Sequence, residues 1–298
     1  MAERGAVRRW AVAVSALMLL SAAACGGGGG GAGGEAPREI RIGLIPWDED
    51  IAITNLWEVL LEDRGYEVTQ VQLEVGGLYS GVANGDLDLF MDAWLPKTHE
   101  DYWAQFGSQI EKVKEWFPEA PLTWVVPKYV AEVDSIEDLA GNADMFGGQI
   151  VGIEAGSGLM RISREEVMPS YGLDDEYKLL EGSTPAMLAE LQKAIESKEP
   201  ILVTLWQPHW AYGKWPLKNL ADPKGALGKP DGAWIVGREG FSEDFAEVAS
   251  WLQSFTLTND QLASLELMIQ DAGEGKEKQA AAKWAEQNRA LVDSWLKG

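Results

Sequence analysis

From position 38 onward, apolar runs of strand length alternate with amphipathic runs of helix length, and this confines the chain to a βα-repeating architecture. Residues 40–45 read as a buried strand. Residues 50–64 place Ile53, Leu56, Trp57, Leu60 and Leu61 on one helical face, and Gly65 stops the helix. A strand at 68–75, a short helix at 78–83, an Asn84-Gly85 turn and a strand at 87–91 follow. A crossing strand is expected at 122–126 and a short capped helix at 134–139. Then come a strand at 149–154, a helix opened by Gly156-Ser157-Gly158, a strand at 177–180, a helix at 184–197 and an apolar strand at 201–205. A Gly/Pro/Lys-rich stretch at 214–232 leads to a second crossing strand at 233–236. Helices at 242–255, 258–272 and 276–296 end the chain, with Asp260, Glu266, Lys276 and Lys278 expected on solvated faces. The expected fold is α/β with two lobes: lobe I from 38–125 and 232–298, lobe II from 126–231 inserted between them. About 260 residues suffice for two such lobes.

The N-terminus carries export chemistry. Arg4, Arg8 and Arg9 precede an apolar run at 10–20 that is short for a bilayer span, and Ser21-Ala22-Ala23-Ala24 leads into Cys25. This resembles a bacterial lipobox, which implies a signal peptide over 1–24 and a lipid on Cys25. The glycine-rich stretch within 25–37 suits a flexible tether to an extracytoplasmic, membrane-anchored body. Cys25 is the only cysteine, so no intrachain disulfide is available and the core must supply the stability. No later segment has the ~18 consecutive apolar residues of a spanning helix.

The net charge of −22 opposes nucleic-acid phosphates and excludes that class of partner. Tryptophan is the unusual component: there are fourteen. Trp57, Trp251, Trp284 and Trp295 sit at helical spacing among apolar neighbours and read as packing residues. Others do not. Pro46-Trp47-Asp48-Glu49-Asp50, Asp92-Ala93-Trp94 and Leu205-Trp206 each place a tryptophan where a strand ends. In open α/β sheets ligands bind beyond the carboxyl ends of strands, so these three indoles are candidates for one crevice. Trp124 and Trp210 are open to either cleft or core.

Indole faces are electron-rich, and a trimethylammonium group cannot donate a hydrogen bond, so a box of such faces suits it. Three faces at ~1–2 kcal/mol each supply roughly 3–6 kcal/mol. A micromolar ligand needs about 8 kcal/mol, so another contact must hold its far end. Glu154-Ala155-Gly156-Ser157-Gly158-Leu159 runs from a strand into a helix, whose first amides can receive a carboxylate, although a plain turn would look the same. His99, five residues after Trp94, could add a charge-assisted donor. Cation cage and carboxylate socket together describe a betaine.

Four segments carry a family resemblance: 46–55 beginning Pro46-Trp47, Asp92-Ala93-Trp94-Leu95-Pro96-Lys97-Thr98-His99, Gly156-Ser157-Gly158-Leu159-Met160, and Trp206-Gln207-Pro208-His209-Trp210. They resemble the signature segments of the glycine betaine/proline betaine substrate-binding proteins of ABC transporters, the OpuAC-type and ProX-type group. The resemblance implies a type II periplasmic-binding-protein fold with the ligand cleft between lobes. It puts a quaternary-ammonium prism on Trp47, Trp94 and Trp206, and carboxylate contacts on the amides of Gly158 and Leu159 and on the His99 side chain. It further implies a monomer without cofactor or metal, working with a permease and an ATPase. Choline-binding relatives lack the histidine and differ at the glycine turn, whereas Glu49, two residues after Trp47, would suit a full cation; a choline or carnitine ligand therefore stays open.

Other classes fit less well. Trp-lined clefts with carboxylates also occur in glycosidases, but acidic residues are too abundant here to single out a pair. Ser157 lacks the G-x-S-x-G frame, and His99 and His209, the only histidines, have no metal-ligand spacing. An enzyme is not expected. A sugar-binding transport protein is the stronger rival, yet the three tryptophan segments offer few amides or carboxylates for hydroxyls.

Overall fold

The structure is a computed structural model that describes residues 38–297. The expected signal peptide over 1–24, the acylated Cys25 and the tether over 25–37 lie outside the described residues.

The first sheet begins with β1 (Glu39–Leu44), α1 (Asp48–Glu62), β2 (Glu67–Gln72), α2 (Val75–Asn84), β3 (Leu89–Leu95), α3 (Glu100–Phe106) and β4 (Ile110–Ala120). β1 pairs in parallel with β2 and with β3. Every residue of β3 is buried, as expected of a strand covered on both faces. β4 is not announced by the sequence, because Ile110, Val113, Trp116 and Ala120 recur at near-helical spacing. Its pairing with a returning strand shifts register three times, which breaks the two-residue alternation. Pro118 is tolerated because β4 is an edge strand.

After Pro121 the chain enters a second sheet through β5 (Leu122–Pro127), β6 (Gln149–Val151) and α4 (Gly158–Ile162), which continues through a π-helical turn into α5 (Met168–Tyr171). Then come β7 (Lys178–Leu180), α6 (Thr184–Ser197), β8 (Val203–Trp206), α7 (Ala211–Lys214) and β9 (Leu217–Asn219). All of β5 pairs within this second sheet, so the chain changes sheets at Pro121 rather than at the expected 125. It returns to the first sheet through β10 (Asp231–Arg238), followed by α8 (Phe241–Asp244), α9 (Ala246–Ser254), α10 (Asn259–Ala272), α11 (Glu277–Gln287) and α12 (Arg289–Trp295).

The strand orders are β2-β1-β3-β10-β4 and β7-β6-β8-β5-β9. In each sheet three parallel strands adjoin an antiparallel one, β10 or β5. The fold class is therefore the α/β arrangement expected. One apolar network runs from the first sheet through Trp47, Trp94, Leu159 and Trp206 into Val125 and Val203 of the second. Trp124 and Val126, which alternate with Val125 along β5, belong to a separate cluster with Phe146 and Ile150.

Trp57, Trp251, Trp284 and Trp295 are all buried packing residues. Trp124 is core as well, and its indole N–H donates to Ser163 Oγ at 3.0 Å. Glu266 departs from expectation: it is 2% exposed instead of solvated. It shares a face of α10 with Leu262, Leu265 and Ile269, so the helix cannot bury those three without burying it. Burial, with Asp48 nearby, pushes its carboxyl well above the usual range.

Candidate functional site

Trp47 is the residue before the first turn of α1. The loop that carries it is fixed by Asp50, whose carboxylate accepts from the Ile45 amide at 2.8 Å and from Thr54 Oγ1 at 3.1 Å. Asp48, Glu49 and Asp50 fill the first turn of α1, where the helix dipole favours acids. Trp94 lies near the end of β3, with Asp92 two residues earlier on the same face. Its Nε1–H donates to both Asp92 oxygens, at 3.1 and 3.0 Å. Trp206 is the last residue of β8, and its Nε1–H donates to Glu49 Oε2 at 2.9 Å. The Trp47 Nε1–H donates to Glu154 Oε2 at 3.2 Å. Glu154 is itself held by the Thr184 amide at 2.9 Å and by Thr184 Oγ1 at 3.0 Å. Each indole is thus pinned by its edge to a buried carboxylate, which fixes the ring and leaves the face available.

His99 caps α3 and is 1% exposed. Its Nδ1 accepts from the Trp94 amide at 3.0 Å and lies 3.1 Å from Tyr79 Oη, which assigns the ring proton to Nε2. That Nε2–H is buried and has no partner among the described residues. Burial, and secondarily Arg161, lowers the pKa to about 3, so the ring is neutral. A charge-assisted bond from His99 would therefore take its charge from the acceptor: the ring offers one uncharged N–H, aimed by its own Nδ1 contacts.

Gly158 and Leu159 begin α4, where the first amides have no intrahelical acceptor, and Ser157 Oγ accepts from Met160 N at 3.3 Å. A side chain on Gly158 would strike the Thr98 backbone, its Cβ lying 2.6 Å from the Thr98 carbonyl carbon. Only glycine permits this approach.

These pieces meet around one hollow. Trp47, Trp94, His99, Gly158, Leu159 and Trp206 all line it, with Glu49, Thr98, Leu122, Ile153 and Ser157. The empty space between them, its open mouth included, amounts to about 270 Å³. Trp210 and His209 do not line the hollow. They stand behind it, with Trp210 Nε1 donating to Asp48 Oδ1 at 2.6 Å and His209 Nε2 lying 3.1 Å from Asp48 Oδ2.

The field behind the indoles is acidic. Burial raises Glu49, with Asp92 adding to the effect, and raises Asp92 to about 7, where hydrogen bonds from Trp94 and Glu49 partly offset it. Neither Asp92 nor Glu154 stood out in the sequence as a site residue. Asp92 was legible in principle, two residues before Trp94 on a strand. Glu154 was not, because its indole partner is 107 residues away. Among the described residues no group of three or more His, Cys, Asp or Glu side chains is arranged to hold a metal ion, and no helix is long and apolar enough to cross a membrane.

A model of the substrate-binding domain of ABC-type glycine betaine transport systems matches residues 38–287. The glycine betaine/carnitine transport binding protein GbuC of Listeria monocytogenes is 35% identical over 170 residues, which span 57% of this chain and 55% of GbuC. The crystal structure of lactococcal OpuAC, closed and complexed with glycine betaine, superposes with a TM-score of 0.80 at 32% identity, covering 87% of this chain and 100% of that one. The glycine betaine/L-proline-binding protein ProX of Borrelia burgdorferi gives a TM-score of 0.80 at 29% identity, covering 86% and 96%. This chain belongs to the family of substrate-binding domains of ABC-type glycine betaine transport systems, whose members bind a solute and are not enzymes.

Proposed function

We propose that this protein captures glycine betaine, or a closely related betaine, between two lobes built around its two sheets and presents it to the permease and ATPase of an ABC importer. The carrying observation is the pairing of three edge-pinned indoles with the unpartnered, buried Nε2–H of His99. The indoles suit a group that is cationic and cannot donate a hydrogen bond; the imidazole N–H suits an acceptor at the other end. The faces contribute roughly 3–6 kcal/mol. A hydrogen bond from His99 to a carboxylate adds about 1.5–3 kcal/mol, and the Gly158 and Leu159 amides add to that, which reaches the micromolar range.

The names of the relatives point the same way, since GbuC is a glycine betaine/carnitine protein and lactococcal OpuAC was crystallised with glycine betaine. Choline fits the indoles but brings no carboxylate for His99. Glu49, which could have favoured a full cation, already accepts the Trp206 N–H. The lipobox-like segment at Cys25 supports an extracytoplasmic lipoprotein held at the membrane; that it acts as a monomer without cofactor is part of the same proposal. Calorimetric titration with glycine betaine, proline betaine, carnitine and choline tests the reading. Glycine betaine or proline betaine should bind tightest, and no heat from any of the four removes the proposal.

A further inference from the structure

We infer that Glu49 and Glu154 are positioning residues forming a reciprocal latch, in which each half of the protein supplies the carboxylate that orients the other half's ligand-facing indole. Trp47 stands at the start of α1, on the first sheet, and donates across the hollow to Glu154, which follows β6 of the second sheet. Trp206 ends β8 of the second sheet and donates back to Glu49 in the first turn of α1. Trp94 is the internal contrast, since its indole is pinned by Asp92 of its own strand. Two of the three cage rings are thus oriented only when the halves are together, and the third is always oriented.

The consequence rests on the reading that the halves close around a betaine. Parting them would break both crossing bonds, and the indoles would lose the edge contacts that aim their faces. Closure and cage assembly then become one event, and the latch acts on the closed state alone. The outer rim also carries crossing ion pairs: Lys97 with Glu166 at 2.8 Å, and Arg161 with Glu100 and Asp101 at 3.1 Å each. These are partly exposed and weakened by solvent, whereas the indole–carboxylate bonds are buried. A buried donor left unpaired is the costlier loss.

The test is stopped-flow tryptophan fluorescence with glycine betaine on the full-length protein, alongside urea unfolding without ligand. Glu49→Leu fills similar volume but leaves the Trp206 N–H unpaired in the closed form, so dissociation should accelerate about 5- to 100-fold with association unchanged, while the unliganded unfolding midpoint reads separately what Glu49 contributes beside Asp92 within its own half. Glu49→Gln retains an acceptor and should restore most of the wild-type off-rate. Trp206→Phe deletes the same bond from the other side, so adding Glu49→Leu to it should change little; this comparison also serves if the single leucine variant folds poorly. A wild-type off-rate in Glu49→Leu, equal damage from Gln and Leu, or a fully additive double variant would overturn the latch. If the unaltered protein binds no betaine, the functional reading falls and the latch with it, whereas a binding wild type with an unaffected Leu variant removes the latch alone.

Discussion

The sharpest consequence of the geometry is at Gly158. A Cβ added there would lie 2.6 Å from both the carbonyl carbon and the Cγ2 of Thr98, and closer still to the carbonyl oxygen. Non-bonded carbons rest at about 3.5–4.0 Å, so Gly158→Ala forces the two segments apart by roughly 1 Å or more. Thr98 cannot retreat alone, because its amide donates to Asp231 and His99 follows it directly. The displacement therefore separates His99 from the start of α4, the two elements proposed to share a carboxylate. Losing the histidine hydrogen bond costs about 1.5–3 kcal/mol. Loosening one cation–π face costs ~1–2 kcal/mol more. Together these predict roughly 2.5–5 kcal/mol, a weakening of about a hundredfold or greater in the glycine betaine Kd. Calorimetric titration measures it. The clash exists only across the hollow, and Gly158 does not occupy the left-handed region, so the unliganded protein should unfold at an unchanged or slightly higher urea concentration. Binding within threefold of wild type refutes the reasoning. So does a destabilised unliganded protein, which would mean that the two segments touch permanently.

His99→Asn places an acceptor near the position of Nδ1, preserving the Trp94 amide contact, and removes the Nε2 donor; glycine betaine should weaken about 10- to 100-fold while choline changes little, as read by calorimetry. The buried Asp92, raised to about 7 from 3.8, gives a pH signature. Its folded-state value lies above the unfolded one, so its contribution to unliganded stability is complete below about pH 4 and is lost as pH rises through 7, by up to roughly 4 kcal/mol; urea midpoints should fall over that window, and less so in Asp92→Asn. Conversely, a cation beside the ionised carboxylate favours it, so betaine affinity should rise from pH 6 to 8 with release of protons, while His99, neutral throughout, adds nothing.

What could be read from the sequence depended on the range of the interaction. Strands β1, β3 and β8 are short apolar runs bounded by turn residues, and the tryptophans at their ends were visible without coordinates. β4 was hidden because bulges in its pairing with β10 replace alternation with a spacing close to that of a helix. Glu266 misled for a different reason: a glutamate on an amphipathic helix is normally solvated, and only the helical position between Leu262 and Ile269 betrays its burial. The carboxylates that pin Trp47 and Trp206 come from positions 107 and 157 residues away, so no local pattern could pair them. Likewise the charge state of His99 depends on its complete burial, which its neighbours in the chain do not encode.

The same pins discriminate between the solutes that a tryptophan-lined cleft could accept. A sugar would use indole faces for its apolar side and would need many donors and acceptors for its hydroxyls. Here the indole N–H groups are already committed, and the carboxylates that might have met hydroxyls are committed to those N–H groups. What remains facing the hollow is mainly ring surface with Leu122, Ile153 and Leu159, one unpartnered imidazole N–H, Thr98, Ser157, the opening amides of α4 and the Glu49 carboxyl that already accepts the Trp206 N–H. A hydroxyl pressed against such a wall would lose its water partners without replacement, at a cost of about 1–3 kcal/mol each. A trimethylammonium group makes no directional demand and forfeits no such bond. In the proposed reading its charge also faces an acidic surround, since burial raises the pKa of both Glu49 and Asp92 and a bound cation favours their ionised forms. In that reading the carboxylates act twice, orienting the rings by hydrogen bonding and favouring a cation by their field, Asp92 and Glu154 from outside the hollow and Glu49 from its wall.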